Sequence, residues 1–416
     1  MNDRIYLCLA HMSGEEQKYI QEAFDTNWVV PLGHNVNGFE DDLQQFLCKE
    51  ESTQKVVALS SGTAAVHLAL VNLGVTKGDE VICQSFTFCA SCHPITYCGA
   101  TPVLVDSEKE TWHMETVLLE EAIQDRIVKT GKKPKAIVVV YLYGMPAKIK
   151  EIMAVAAKYD IPLVEDAAEA FGSRYAGEAC GTFGTYGVLS FNGNKMITTS
   201  GGGALVCPDE EAWKRVMFFA TQAREGYPYY QHEHIGYNYR MSNICAGIGR
   251  GQMTVAQAHI DHHKRLHALY EELFAEVEGV KVLSNPSADY DSNYWLTTIL
   301  LDPSLRVKGE ETVYEAAVSA AVGGAAGVVH QAASARTDCE PAAHVEAMRL
   351  ALDKEGIESR PLWKPMHKQP IYAELPAYVN GVSEELFAHG LCLPSGPAVT
   401  EAQVRFIVEQ FKAALA

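Results

Sequence analysis

Short apolar runs alternate with helical stretches from about residue 55 to residue 207, and this alternation constrains the fold more than any other feature. The runs are rich in Val, Ile and Leu, and turn residues or helical patterns separate them. They are VVALS (56–60), EVICQSF (80–86), TPVLVD (101–106), KAIVVVY (135–141), IPLVED (161–166), YGVLSF (186–191) and GALVC (203–207). Strands that are apolar along their whole length are buried on both faces. The alternation therefore predicts an α/β fold, with a mostly parallel seven-stranded sheet flanked by helices.

The character of the sequence changes after residue 240. Residues 242–278 have the pattern of one or two long helices, and NYWLTTILL (293–301) has the pattern of a strand. The C-terminal segment has the spacing of an amphipathic helix, with Val404, Ile407, Val408 and Phe411 on one face.

These patterns divide the chain in two. We predict a large α/β domain over residues 1–250, including an N-terminal arm, and a smaller α+β domain over residues 251–416. A segment rich in Ala, Gly and Val interrupts the second domain at about 307–343. It could form a helical hairpin or a mobile insertion.

The chain is acidic, which limits the partners that it can have. Its 34 Lys and Arg stand against 52 Asp and Glu, a formal net charge of −18. Such a surface argues against non-specific binding to nucleic acid or to anionic lipid. No stretch reaches the ~18 apolar residues that indicate a membrane span, and the N-terminal segment lacks the pattern of a secretory signal. Eleven cysteines without framework spacing fit a reducing compartment, so we expect a cytoplasmic protein.

Four histidines, His259, His262, His263 and His267, recur at helical spacing on one predicted helix. Such a spacing can bind a metal ion, but no cysteine or acidic ligand joins them on that face. We interpret them as a solvated helix face and predict no metal site.

Ligands of parallel α/β sheets bind at the carboxyl ends of the strands, and four predicted strands end in suggestive residues. The first is followed by SSGT (60–63) at a helix start, where free N–H groups and the helix dipole favour a phosphate. Taken alone, this could be an ordinary N-cap. Asp166 ends another strand, with Glu169 three residues later. A carboxylate buried there needs a cationic partner, unless it caps the next helix.

An aromatic residue and an amine follow the other two strands. Phe88 could stack on a planar ring, although a core position would explain it as well. Ser190 lies near the end of the strand YGVLSF and Lys195 follows it, with three glycines soon after. A lysine among apolar residues and glycines can act as a nucleophilic amine, whereas most lysines lie on the surface.

Together these groups form the set that pyridoxal 5′-phosphate requires. The cofactor needs a phosphate cradle, a carboxylate for its ring nitrogen, an aromatic side chain for its face and an amine for its aldehyde. The carboxylate keeps the ring nitrogen protonated, so that the ring can accept carbanion charge. We therefore predict pyridoxal phosphate as the cofactor.

The order of these segments resembles that of the DegT/DnrJ/EryC1/StrS family of pyridoxal-phosphate-dependent nucleotide-sugar aminotransferases. The segments are, in chain order, SSGTAAVHLAL, QSFTF, YLYGMPAKIKEI, VEDAAEAFGS, SFNGNKMITTSGGGALV and GYNYRMSNICAGIG. The resemblance runs from about residue 28 to 302 and resumes at 344–370. It implies fold type I of the aspartate aminotransferase superfamily.

The resemblance implies a role for each residue around the ring. Lys195 would form the Schiff base with the cofactor and carry the proton during transamination. Asp166 would bind the pyridine nitrogen and Phe88 would stack on the ring. Glu169 would lie near the ring hydroxyl, at a position where many members have Gln or His.

The resemblance also implies how the phosphate is bound. Gly62, Thr63 and Ser190 would hold it within one subunit. Asn238, in GYNYRMS, would reach the cofactor phosphate of the neighbouring subunit. A homodimer with shared active sites follows from that role.

The substrates implied by the resemblance are L-glutamate as amino donor and a nucleotide-linked keto-deoxy-sugar as acceptor. The segment ESRPLWKPMHKQP offers a possible diphosphate site in Arg360, Lys364, His367 and Lys368, with Trp363 to stack on a base or sugar. The same residues could simply form a basic surface loop.

The form SFNGNKMITTSGGG and Glu169 are similar to the enzymes that aminate UDP-4-keto-6-deoxy-N-acetylglucosamine for bacillosamine-type glycans. We therefore expect this acceptor. Two alternatives remain open at this point: another fold-type-I enzyme such as a lyase or cysteine desulfurase, and a non-catalytic regulatory protein that binds the cofactor or a nucleotide-sugar.

Overall fold

The computed structural model describes residues 4–316, 322–323, 329–330 and 339–416. The helices in these ranges are α1 (Glu16–Asp25), α2 (His34–Leu47), α3 (Gly62–Asn72), α4 (His93–Tyr97), α5 (Thr116–Thr130), α6 (Ile149–Lys158), α7 (Glu210–Ala220), α8 (Asn243–Met253), α9 (Ala256–Phe274), α10 (Val313–Ala316), α11 (Ala343–Lys354), α12 (Val382–His389) and α13 (Glu401–Ala414). The strands are β1 (Lys55–Leu59), β2 (Glu80–Gln84), β3 (Thr101–Val105), β4 (Ala136–Val140), β5 (Leu163–Asp166), β6 (Arg174–Tyr175), β7 (Glu178–Ala179), β8 (Tyr186–Ser190), β9 (Gly203–Cys207), β10 (Val280–Val282), β11 (Tyr290–Asp291), β12 (Thr297–Leu301), β13 (Val322–Gly323), β14 (Val329–His330), β15 (Arg360–Pro361), β16 (Ala377–Tyr378) and β17 (Gly390–Leu393).

An eight-stranded sheet organises the first part of the described chain, in the order β1-β9-β8-β5-β4-β2-β3-β16. All seven predicted strands lie in it. Strand β9 pairs antiparallel with β1 and β8, whereas the other neighbouring strands pair in parallel. The prediction of a mostly parallel sheet is confirmed, with one strand more than expected. The eighth, β16, has two residues and no apolar run, so it carries no strand pattern.

Helices cover both faces of this sheet, which explains why its strands are apolar throughout. Ile82 belongs to a core that also includes residues of α2, α5 and α6. Its neighbours Val81 and Cys83 point to the opposite face and belong to a core with residues of α3, α4 and α7. The layers are therefore helix, sheet and helix, as the alternating pattern predicts.

A second, antiparallel sheet follows in the order β10-β12-β17-β15, and its core includes residues of α9, α11 and α13. The apolar face predicted for the C-terminal helix is buried in that core. The predicted boundary between residues 250 and 251 falls inside α8, and the division into two domains stays a prediction. None of the helices described above has the length and apolarity needed to cross a membrane.

One predicted strand in the second half differs from the structure, and one predicted segment lies largely outside the described residues. The strand expected from residue 293 begins at Thr297, because Tyr294 has a φ of 48° and the side-chain oxygen of Asn293 accepts the Trp295 N–H at 2.8 Å. Much of the Ala- and Gly-rich segment predicted as a hairpin or mobile insertion lies outside the described residues. On its N-terminal side, the Lys308 N–H donates to the Ala414 carbonyl at 3.0 Å.

The prediction that the four histidines form a solvated helix face is wrong. They lie on α9 as expected, but His259, His263 and His267 are buried. Burial lowers the pKa of all three imidazoles, to about 3 for His263. His267 stacks on Tyr294 with ring centroids 3.5 Å apart. Helical spacing predicts that the four histidines share one face of α9, but it does not show that the loop with Tyr294 packs on that face.

Candidate active site

A cavity of about 350 Å³ opens at the carboxyl end of the central sheet. Strands β1, β2, β5 and β8 run in the same direction, so the segments that follow them reach one edge. Residues from all four predicted strand ends line the cavity, namely Gly62, Thr63, Phe88, Asp166, Glu169, Ser190 and Lys195. Two tryptophans, Trp295 and Trp363, complete its wall from the second half of the chain.

The start of α3 forms one end of the cavity. The Ser61 side chain caps the helix by accepting the Ala64 N–H at 3.0 Å. The first N–H groups of a helix have no intrahelical acceptor, and the helix dipole makes this end electropositive. A Cβ on Gly62 would lie 3.0 Å from the Cβ of Ser190. The glycine therefore allows the Ser190 side chain to approach the helix start, and this end suits a phosphate.

Asp166 lies at the end of β5 and is 4% exposed. Its Oδ2 accepts the Ser91 hydroxyl at 2.6 Å and its Oδ1 accepts the Ala168 N–H at 3.1 Å. Burial raises the pKa of this carboxyl group, whereas the Ser91 and Ala168 hydrogen bonds and the charge of Lys195 lower it. A protonated ring nitrogen would be a suitable further partner.

Lys195 is not the isolated amine that its neighbours in the sequence suggest. Its Nζ lies 3.3 Å from Glu169 Oε1 and 4.1 Å from the ring centroid of Trp295. The indole N–H of Trp295 donates to the Asn194 carbonyl at 2.6 Å, which fixes the turn that carries the lysine. A carboxylate and an aromatic face therefore hold the amine at the cavity wall.

Glu169 is as deeply buried as Asp166, with 6% of its surface exposed. Its second oxygen, Oε2, accepts the Tyr143 N–H at 2.7 Å. Burial raises the pKa of the Glu169 carboxyl group, whereas the charge of Lys195 and the Tyr143 N–H lower it.

These groups fit pyridoxal 5′-phosphate. The helix start and Ser190 supply donors for a phosphate, and Asp166 supplies a buried carboxylate for a ring nitrogen. Phe88 is 56% exposed at the cavity and free to cover a ring face. Gly201 also lines the cavity, and a Cβ added there would meet no atom within 4 Å.

Comparisons with known proteins agree with this fit. The profile of the DegT/DnrJ/EryC1/StrS aminotransferase family matches residues 10–333 and 325–412. This chain belongs to that family. EpsN of Bacillus subtilis (strain 168), provisionally named a pyridoxal phosphate-dependent aminotransferase, is 42% identical over 413 residues, which cover 98% of this chain and 95% of EpsN.

Two further matches extend over nearly the whole chain. The GDP-perosamine synthase of Escherichia coli O157:H7 is 34% identical over 398 residues, or 96% of this chain and 95% of that protein. The crystal structure of a DegT DnrJ EryC1 StrS aminotransferase from Brucella abortus superimposes with a TM-score of 0.81 at 25% identity. That superposition covers 96% of this chain and 95% of the Brucella protein.

The protein is a pyridoxal phosphate-dependent sugar aminotransferase. The predictions of family, fold type and cofactor are thereby confirmed. The alternatives of a lyase or desulfurase and of a non-catalytic protein are not supported, because both the family and EpsN are named aminotransferases.

The structure brings Trp363 to the cavity, but not the basic residues predicted beside it. Arg360 lies in β15 and pairs with Glu358 at 2.9 Å. His367 is held between the Ser85 hydroxyl, 2.7 Å from Nδ1, and Glu384, 3.2 Å from Nε2.

The remaining two basic residues also lie away from the cavity lining. Lys368 pairs with Glu384 at 3.0 Å, and the Lys364 carbonyl accepts the Gln369 side chain at 3.3 Å. A role of this segment in substrate binding stays a prediction.

Asn238 is exposed and does not line the cavity of its own chain. It forms an isolated antiparallel bridge with Thr221. This position is compatible with a contact to a second subunit, and that contact stays a prediction.

Sequence reasoning missed three residues of the site: Ser91, Tyr143 and Trp295. Ser91 follows the ring-stacking candidate Phe88 by three residues, so its closeness to the site could have been found by counting. Trp295 was placed in a strand, and no local pattern places it beside a lysine 100 positions earlier.

Proposed function

We propose that this aminotransferase transfers the amino group of L-glutamate to UDP-4-keto-6-deoxy-N-acetylglucosamine, for bacillosamine-type or related glycans. The proposal rests on the positions of Glu169 and of the SFNGNK segment, the two sequence features that indicate this acceptor. Glu169 contacts the amine of Lys195, and Asn192 and Asn194 of the SFNGNK segment line the same cavity. Both features therefore adjoin the group that would exchange protons with the acceptor.

The positions of four groups in the cavity support the roles that we propose for them in binding the cofactor. Pyridoxal phosphate, when bound, supplies an aldehyde that takes up the amino group and a ring that stabilises carbanion charge. Asp166 would hold the ring nitrogen in its protonated form, and Phe88 would cover the ring face. Gly62, Thr63 and Ser190 would hold the phosphate at the start of α3.

Lys195 moves the proton in this proposal. Its Nζ would accept a proton from the α-carbon of glutamate in the first half of the reaction and pass it to the cofactor carbon that carries the amino group. In the second half it would take a proton from that cofactor carbon and deliver it to the sugar carbon that receives the amino group. Glu169 and the Trp295 ring hold Nζ in place between these steps, because both contact it.

The nucleotide is tested by comparing two acceptors in separate reactions, because the E. coli relative is named for a GDP-linked sugar. The purified protein is incubated with L-glutamate and either UDP-4-keto-6-deoxy-N-acetylglucosamine or a GDP-linked 4-keto-6-deoxy-hexose. The proposal predicts 2-oxoglutarate and an aminated UDP-sugar, detected by mass spectrometry, with little turnover of the GDP-sugar. Preference for the GDP-sugar would replace the acceptor and leave the aminotransferase chemistry intact.

We further propose that two copies of the chain form a homodimer with shared active sites. Exposed apolar side chains support this proposal, among them Trp28, Val29 and Val30. Asn243 binds this segment, since its side-chain amide donates to the Trp28 carbonyl at 2.9 Å and its N–H donates to the Val30 carbonyl at 2.9 Å. Asn238 lies five residues before Asn243 along the chain and is itself exposed.

A further inference from the structure

One tight turn carries both the predicted ring-stacking residue and the partner of Asp166. Phe88 precedes a 3₁₀ helix over Cys89–Ser91, and the Ser91 N–H donates to the Phe88 carbonyl at 3.2 Å. The Thr87 N–H donates to the Ser85 carbonyl at 3.0 Å. The backbone from 85 to 91 is therefore internally bonded, so a shift of Ser91 would also shift Phe88.

A chain of hydroxyl groups leads from this turn to Asp166. The Thr87 and Ser91 hydroxyl oxygens are 2.8 Å apart, and Ser91 Oγ is 2.6 Å from Asp166 Oδ2. An ionised carboxylate can only accept, so Ser91 donates to Asp166 and must accept from Thr87. Both side chains are buried, Thr87 fully and Ser91 with 1% exposed, so water does not compete for these bonds.

The two hydrogen bonds to Asp166 fix the rotation of its carboxylate. Ser91 binds Oδ2, and the Ala168 N–H binds Oδ1. Each oxygen keeps a lone pair, because a carboxylate has about four acceptor positions. A hydrogen bond to a buried anion also favours its charged form.

We propose that Ser91 is a positioning residue, whose hydroxyl, oriented by Thr87, holds the Asp166 carboxylate charged and correctly turned for the ring nitrogen of the cofactor. This inference rests on the proposed role of Asp166. Ser91 acts through Asp166 and touches no reacting atom. The same turn also positions Phe88. One segment would therefore contact the ring face of the cofactor through Phe88 and orient the partner of its ring nitrogen through Ser91.

The test measures the affinity of the cofactor-free protein for pyridoxal phosphate as a function of pH, by quenching of tryptophan fluorescence. Ser91→Ala should weaken binding about tenfold at neutral pH, because an Asp166 carboxylate that is misoriented or partly protonated binds the ring nitrogen less well. Without the Ser91 bond, Asp166 takes up a proton at a higher pH. The pH below which binding is lost should therefore rise by about one unit.

Three further variants make the result interpretable. Ser91→Thr keeps the hydroxyl and should restore most of the affinity. Thr87→Val leaves Ser91 in place and should produce a smaller shift in the same direction, which gives a second test if Ser91→Ala does not fold. Ser383→Ala is the matched control, because Ser383 is also buried but lies in α12 and does not line the cavity.

Two results would overturn different parts of the account. If Ser91→Ala and Thr87→Val bind like the wild type at every pH while Asp166→Asn binds about 30-fold more weakly, the inference about Ser91 is wrong and the role of Asp166 stands. If Asp166→Asn also binds like the wild type, the proposed role of Asp166 is itself wrong.

Discussion

Replacing Asp166 by Asn should weaken cofactor binding without lowering the stability of the cofactor-free protein. The amide has the shape of the carboxylate, so its oxygen can still accept the Ala168 N–H that Oδ1 accepts at 3.1 Å. Its NH₂ group would then face Ser91, whose hydroxyl can turn to accept it. The variant therefore loses the charge of Asp166 with little change in packing.

The substitution should lower the affinity for the cofactor and raise the stability of the cofactor-free protein. A charge-assisted hydrogen bond contributes about 2 kcal/mol, so loss of the anion should weaken cofactor binding about 30-fold. Burial raises the pKa of Asp166 above that of the unfolded chain, which means that its charged form costs stability when no cofactor is bound. Asn removes this cost, and the cofactor-free variant should be more stable by up to about 1 kcal/mol at neutral pH.

The pH dependence of this gain in stability follows from the raised pKa of Asp166 in the folded chain. Below the unfolded pKa of about 3.9 the carboxyl group is neutral in both states, and the variant should have no advantage from this source. The advantage should grow as the pH rises from the unfolded pKa to the folded pKa and stay constant above it. Denaturant unfolding of the cofactor-free proteins between pH 4 and pH 8 measures it directly.

A second aspartate provides the matched control. Asp106 is buried just after β3 and accepts four backbone N–H groups, from Ser107, Asn380, Gly381 and Ser383, at 2.8 to 3.1 Å. Each oxygen accepts two of them, so an NH₂ group at either position would face two donors. Asp106→Asn should lose about 2 kcal/mol of stability and keep its cofactor affinity. Equal behaviour of the two variants in both assays would refute the reasoning.

Two further predictions concern the shared site and the phosphate end. If inactive Lys195→Ala and Asn238→Ala proteins are mixed and exchange subunits, the mixture should regain about a quarter of wild-type activity. Half of the dimers then contain one subunit of each kind, and each of these dimers has one intact site out of two. No recovery of activity despite subunit exchange would contradict shared sites. Gly62→Ala should push Ser190 from the helix start and weaken cofactor binding about tenfold in a fluorescence titration. Gly193→Ala, where an added Cβ meets no atom within 4 Å, should bind normally, and equal affinities would contradict the role of Gly62.

Much of the fold could be predicted because fully buried parallel strands have a simple pattern. Residues of β4, for example, are buried at every position, and AIVVV shows this directly. Strand β16 could not be found, because its two residues pair with β3 through the backbone and need no apolar run. The burial of His263 depends on Tyr294, whose carbonyl lies 3.1 Å from its Nδ1, and helical spacing alone does not show that contact.

The candidate site was predictable to a similar extent and for a similar reason. Asp166 ends β5 and Lys195 follows β8, and parallel strands bring their carboxyl ends to one edge. The groups that contact these two come from elsewhere: Ser91 from the segment after β2, which β4 separates from β5, and Trp295 from the second half of the chain. The cluster of basic residues that we predicted as a diphosphate site shows that composition alone does not predict binding. Arg360 and His367 each pair with a nearby acidic residue of the same chain.

The most direct test of the central claim is the absorption spectrum of the purified protein, before and after L-glutamate. The account predicts a visible band of bound pyridoxal phosphate that glutamate converts to the near-ultraviolet band of pyridoxamine phosphate. Lys195→Ala should show no such conversion, because it lacks the amine that moves the proton. A wild-type band that glutamate leaves unchanged, or a conversion of the same rate in Lys195→Ala, would contradict the account.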